Sequence, residues 1–214
     1  MSHPLRGRGR RERFRGEGET EVSHVANELN GKRIAFLTAP EGVEQIELTT
    51  PWERLEEAGA DLELVSFDTD RVQMFEHLEP ADTRAVDRPL EQANPDDYDG
   101  LVLPGGVANA DRARMNEQAV AFVRSFFERG APVAAICHAP WMLIEAGIVQ
   151  GRTLTSFPSL RTDLRNAGAT WIDEEVVVDG ELVTSRKPDD LDAFCARAID
   201  AFAGTRAPGI WRSA

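Results

Sequence analysis

Apolar and polar positions are grouped along this chain in blocks whose period changes. Short apolar runs over residues 32–38, 99–103 and 133–136 predict buried strands, and alternation over 61–66 predicts another. Between them the spacing turns helical. Ile46, Leu48, Trp52 and Leu55 give a rough helical face over 44–58, with Pro51 expected to kink or break it and Gly59 closing it. Val120, Val123, Phe126 and Phe127 share one side of a helix over 116–129. Residues 141–146 form a helical run stopped by Gly147, and 191–202 a last helix capped by Pro188, Asp189 and Asp190. A short strand over 153–156, a helix over 159–167 with Ser159 as its cap, and a hairpin over 176–185 turned at Asp179-Gly180 complete the pattern. Residues 67–97 are weakly patterned. They predict an irregular excursion with one or two short strands, in which His77 is a solvated loop residue.

Strands alternating with helices predict an α/β fold, a three-layer sandwich around a mostly parallel sheet with right-handed crossovers. Ligands of such sheets bind outside the carboxyl ends of the strands. Three ends are candidates: the loop before Glu44, the Gly105-Gly106 pair and Cys137. Glycines at a strand end let backbone N–H groups approach a ligand. The pair is no phosphate loop, because no Lys-Ser/Thr follows it.

Cys137 stands where a buried strand gives way to a helix, the geometry of a nucleophile elbow. Unpaired N–H groups at the helix start favour an anion, so a lowered thiol pKa and a thiolate near neutral pH are expected. The same N–H groups suit an oxyanion. Cys195, on the apolar face of the last helix, is expected to be core packing.

Composition narrows the setting. The 214 residues carry 42% hydrophobic residues and a net charge of −13, which argues against nucleic acid as the main partner. No apolar run nears the roughly 20 residues needed to cross a bilayer. Two cysteines make no disulfide framework, and a reduced, cytoplasmic setting is expected. Residues 1–30 are an arginine-rich extension in which Arg6, Arg8, Arg10, Arg11, Arg13 and Arg15 alternate with Gly and Glu. It is expected to be disordered or loosely docked, and it is the one segment suited to an acidic surface. Residues 31–204 are expected to form the α/β domain, and 205–214 a loose tail.

Four separated segments carry a resemblance. Ala135-Ile136-Cys137-His138-Ala139-Pro140, Leu101-Val102-Leu103-Pro104-Gly105-Gly106, residues 41–48 and residues 176–188 together resemble the PfpI-type branch of the DJ superfamily. The likeness covers residues 31–203. It implies a flavodoxin-like fold and membership among intracellular cysteine proteases and deglycases, many of them stress proteins. Class I glutamine amidotransferase domains share the elbow but place their His and Glu elsewhere in sequence. By this resemblance Cys137 is the nucleophile, Glu44 the carboxyl that hydrogen-bonds its sulfur, and His138 the histidine after it. Asp111 is the acidic partner of His138, supplied by a neighbouring subunit. Gly106 and His138 N–H form the oxyanion hole. Glu44 works best protonated, as a donor to sulfur, and its titration is coupled to the thiol. Glu47, three residues along the same helix, is its rival.

Three functions follow from the resemblance. The first is a cysteine-dependent hydrolase or lyase, of glyoxalase or deglycase type, acting on small reactive carbonyls or modified protein side chains. The second is a peptidase with a Cys-His-Asp triad completed across subunits. The third is a redox sensor or chaperone-like stress protein in which Cys137 is oxidised. None needs a metal or organic cofactor. A homodimer at least is expected, with a hexamer also open.

Overall fold

The computed structural model describes residues 28–205 and 211–212. The arginine-rich extension expected over 1–30 therefore lies almost wholly outside the described residues, as does most of the expected tail. In chain order the strands are β1 (Arg33–Leu37), β2 (Glu41–Glu44), β3 (Asp61–Ser66), β4 (Arg71–Glu76), β5 (Glu79–Ala85), β6 (Arg88–Pro89), β7 (Gly100–Leu103), β8 (Val133–Ile136), β9 (Thr153–Leu154), β10 (Thr170–Trp171), β11 (Val176–Asp179), β12 (Leu182–Ser185) and β13 (Trp211–Arg212). The α-helices are α1 (Gln45–Glu57), α2 (Val107–Arg114), α3 (Glu117–Glu128), α4 (Pro140–Glu145), α5 (Arg161–Asn166) and α6 (Leu191–Phe202).

Eight strands form the central sheet in the order β13-β11-β12-β8-β7-β1-β3-β6. From β12 to β6 every pairing is parallel. The β11–β12 hairpin and β13 add an antiparallel edge. Side chains of β1, β7 and β8 alternate between two buried cores. Ala35, Leu37, Leu101, Leu103, Val133 and Ala135 face one. Ile34, Phe36, Val102, Ala134 and Ile136 face the other. Burial on both faces is why these strands read as continuous apolar runs. Helices α3, α4 and α5 cover the first face, and α1 and α6 the second. The sandwich expected from the sequence is thus the observed architecture.

Several elements differ from the sequence expectation, among them β2, α2 and β10, which the pattern does not announce. Residues 67–97 hold a β4–β5 hairpin with a register shift between Gln73 and Phe75, longer than the short strands expected, and it joins β2 in a separate three-stranded sheet. The sequence hides it because only Val72 and Met74 of its strands are buried. Helix α1 runs through Pro51 without a break. Ser159 does not cap a helix: it lies in a 3₁₀ turn, Pro158–Leu160, ahead of α5.

Candidate active site

The elbow follows from its two flanks. Cys137 N–H donates to the Ser185 carbonyl at 3.0 Å, extending the β8–β12 ladder by one residue, and Ala139 N–H returns to the Ile136 carbonyl at 3.0 Å. Between these anchors Cys137 takes φ 64°. A left-handed conformation costs a residue with a Cβ about 1–2 kcal/mol, so the flanks must hold it. Phe157 N–H fastens the Cys137 carbonyl at 2.9 Å. The side chain leaves the sheet at the carboxyl ends of β7 and β8.

The Pro-Gly-Gly turn after β7 packs against it. A Cβ on Gly105 would collide with the Glu47 carboxyl and approach the Cys137 Cβ to 2.5 Å. One on Gly106, at φ 92°, would strike the backbone of Gly42 and Glu44. Only a bare backbone fits there. The N–H groups of Gly106 and His138, the two expected oxyanion donors, lie near the Cys137 sulfur and favour its ionised form.

The carboxyl at that sulfur is Glu47, not Glu44. Strand β2 occupies Glu41–Glu44, so α1 starts at Gln45 and Glu44 is the last residue of a strand. Its carboxylate turns to the hairpin tip, accepting the His77 N–H at 3.1 Å and lying 3.5 Å from His77 Nδ1. Glu47 stands in the first turn of α1, on the face that also buries Leu48, Pro51, Trp52 and Leu55, and is fully buried. It faces the Cys137 thiol and the Gly105 N–H. Neither approach reaches full hydrogen-bond geometry, so both its oxygens lie in the interior without a well-formed partner.

That burial governs the acid–base chemistry. It pushes the Glu47 pKa up to about 8, against the pull of the Cys137 thiol, while the Glu44 carboxylate adds a smaller push. Burial first, and then the Glu47 carboxylate, push the Cys137 thiol well above its ordinary value; the Gly106 and His138 N–H groups pull it down. The lowered thiol pKa expected from the helix start is therefore not found: α4 is six residues long, and desolvation outweighs it. The two groups titrate as one pair. With Glu47 protonated, its push on the sulfur disappears and the carboxyl becomes a donor.

His138 Nδ1 lies 3.1 Å from the Cys137 sulfur. Its Nε2 meets the Ser159 hydroxyl at 3.2 Å. The ring stacks on Phe157, centroids 4.7 Å apart, and burial lowers its pKa, so it is neutral at pH 7. Within the chain Asp111 does not reach His138. It pairs instead with Arg114, 3.0 Å away, whose guanidinium lies over Trp141. Sequence reasoning ranked Glu47 second and missed Ser159, whose only visible signal is a hydroxyl shortly after the elbow helix. Cys195 is core, and burial pushes its thiol up to about 12.

Cys137, His138, Glu44, Glu47 and Asp111 all line one cavity of about 870 Å³. Leu78, Val107, Trp141 and Phe157 supply apolar wall. Among the described residues no three His, Cys, Asp or Glu side chains gather to hold a metal ion. Nor is any described helix long and apolar enough to cross a membrane. The arrangement suits addition of sulfur to an electrophilic carbon, with two N–H groups to receive the oxygen and a buried carboxyl to move a proton.

Known proteins share this arrangement of segments. Deglycase PfpI of Pyrococcus furiosus is 46% identical over 162 residues, spanning 76% of this chain and 94% of its own. A deglycase of Pyrococcus horikoshii is 44% identical over the same length and shares. The crystal structure of Drosophila melanogaster DJ-1beta superposes with a TM-score of 0.74 at 30% identity, covering 81% of this chain and 91% of that one. The DJ-1/PfpI family model matches residues 32–201, from the start of β1 into α6, with the elbow and the Gly-Gly turn inside it. The chain belongs to the DJ-1/PfpI family.

Proposed function

We propose that this protein is a cysteine-dependent hydrolase of reactive carbonyls and of the adducts they leave on amines, of deglycase or glyoxalase type. The observation that carries the reading is Cys137 lining an open cavity, with the buried Glu47 carboxyl beside its thiol and two backbone N–H groups near it. The deglycase names of two relatives support it.

For a dicarbonyl the steps balance without a cofactor. The sulfur adds to the aldehyde carbon as its proton leaves, and the oxygen, resting on the Gly106 and His138 N–H groups, takes up a proton to give a hemithioacetal. Ionised Glu47 removes the carbon-bound hydrogen and returns it to the neighbouring carbonyl carbon, while the hydroxyl proton passes from the first oxygen to the second, giving a thioester of a 2-hydroxy acid. Water cleaves the thioester, releasing the acid and restoring the thiol. Glu47 suits this exchange because burial sets its pKa close to the working pH. An amine adduct enters the same path with the amine as leaving group.

The test is proton NMR of purified protein given methylglyoxal, or its adduct on an N-acetylated arginine. The wild type should produce lactate and Cys137→Ala none; equal turnover by the two overturns the proposal. The 3.1 Å contact of sulfur and His138 Nδ1 favours a second reading, a peptidase. That triad needs Asp111 from a second copy to reach His138, whose Nε2 is already held by Ser159. Peptide hydrolysis abolished by Asp111→Asn, with lactate formation retained, would favour the peptidase for that activity.

A further inference from the structure

The peptide between Gly105 and Gly106 packs against Cys137, a Cβ on Gly105 meeting the Cys137 Cβ at 2.5 Å, and carries one of the two N–H groups near the Cys137 sulfur that favour its ionised form. Nothing in either glycine's own side chain can aim it. A trans peptide is planar, with its carbonyl and N–H pointing opposite ways, so whatever holds the Gly105 carbonyl sets the direction of the Gly106 N–H. The residue holding it is Asn109, on the first turn of α2 and 3% exposed. Its Nδ2 donates to the carbonyls of Gly105 and Pro104, both at 2.9 Å. Its Oδ1 accepts the Ala39 N–H at 2.7 Å, just past the end of β1. Only this orientation of the amide satisfies all three partners. Turned over, its oxygen would face two carbonyls and its NH₂ another N–H.

Two features make this more than a packing contact. The side chain turns back to residues 104 and 105, ahead of the helix, rather than capping a free N–H of α2, whose start has no side-chain cap. A carbonyl that accepts a hydrogen bond also polarises the N–H of its own peptide, so the same contact strengthens the donor it aims. We infer that Asn109 is a positioning residue, clamping the Gly105–Gly106 peptide so that its N–H points where the oxyanion forms. For the chemistry served, the inference rests on the function proposed above.

The test compares full-length Asn109→Ser, which shortens the side chain without adding charge, with Asn116→Ala. The second variant removes the α3 cap, where Asn116 Oδ1 accepts the Ala119 N–H at 3.0 Å, and controls for loss of stability away from the site. In Asn109→Ser, kcat for the dicarbonyl should fall roughly 10- to 100-fold with KM within about threefold, less than the roughly 100- to 1,000-fold of an outright lost oxyanion donor because the N–H is misaimed rather than removed. Alkylation of Cys137 by iodoacetamide should rise at higher pH than in the wild type yet reach the same plateau, because the thiolate has lost a donor but stays accessible. Asn116→Ala should leave both readouts within about twofold. A folded Asn109→Ser with unchanged kcat and alkylation profile overturns the inference. So does a fall in kcat and plateau that Asn116→Ala shares. Should Asn109→Ser not fold, Asn109→Gln, which keeps both donors at the wrong reach, is read in the same way. If the wild type turns over no carbonyl, the proposed function falls, and the alkylation profile alone decides the role of Asn109: moved to higher pH it stands, unmoved it does not.

Discussion

At the scale of single residues, one buried carboxyl sets the behaviour of the site. The folded chain holds Glu47 at a pKa of about 8 against an ordinary value of 4.5. Below the ordinary value the group is protonated in both states and costs nothing. Between the two values the unfolded chain has released a proton that the folded chain still binds, so stability falls as pH rises across that window. Glu47→Gln removes the penalty. Urea unfolding should show it more stable than the wild type at pH 9, by on the order of 4 kcal/mol, with the gain vanishing near pH 4.5. Its turnover should fall by about 100-fold or more, since a general acid–base group is lost. A stability gain independent of pH would mean that Glu47 is not titrating in the fold. The thiol answers to its partner: as Glu47 ionises across pH 7 to 9 its charge opposes the thiolate, so alkylation of Cys137 should rise with pH less steeply than in Glu47→Gln. Cys195, walled in by the core, should stay much slower than Cys137, which lines the cavity. Mass spectrometry of the two peptides checks this, and equal rates would count against an accessible elbow.

At the scale of elements, the site is a meeting of the ends of β7 and β8 with the start of α1, and small shifts of those ends decide which side chains take part. The parallel strands were legible because burial on both faces leaves unbroken apolar runs, and α6 was read to its true bounds from its spacing and the prolyl turn before it. The elbow was legible for the same reason, since Val133 to Ile136 stops so sharply at Cys137. The choice between Glu44 and Glu47 was not. It depends on where α1 begins, and β2 claims the four residues before it through pairing with β4, a long-range contact that no local pattern reports. Ser159 was hidden likewise, because its partner lies 21 residues away. Asn109 was hidden because its backward reach to residues 104 and 105 depends on the turn into α2, and its oxygen's partner lies 70 residues away. Gly105→Ala should test how tightly the ends meet. Its methyl would run into the Glu47 carboxyl and the Cys137 Cβ, so a loss of about 1–3 kcal/mol in thermal unfolding and a slower Cys137 are expected. Glu44→Gln weakens the tie to His77 at an exposed hairpin tip and removes the smaller push on Glu47, so amide exchange at His77 should quicken while turnover changes far less than in Glu47→Gln.

At the scale of the whole molecule, the central sheet divides the interior into two cores that share strands but not side chains. Val123 belongs to one and Ile199 to the other. Val123→Ala and Ile199→Val should each cost about 0.5–2 kcal/mol, and the double variant their sum within about 0.5 kcal/mol. A larger departure in chemical denaturation would show that the sheet transmits strain between its faces. The elbow stands at the rim of this partition, and the two N–H groups near the sulfur belong to its main chain. Main-chain groups survive nearly every point mutation, whereas a thiol or a carboxyl is lost by a single codon change. Decay of the activity over generations would thus strip the reagent and spare its cradle. Descendants that have lost the sulfur should still hold small anions at this rim, a relic of the chemistry that tells silent copies of the fold from ones that never performed it.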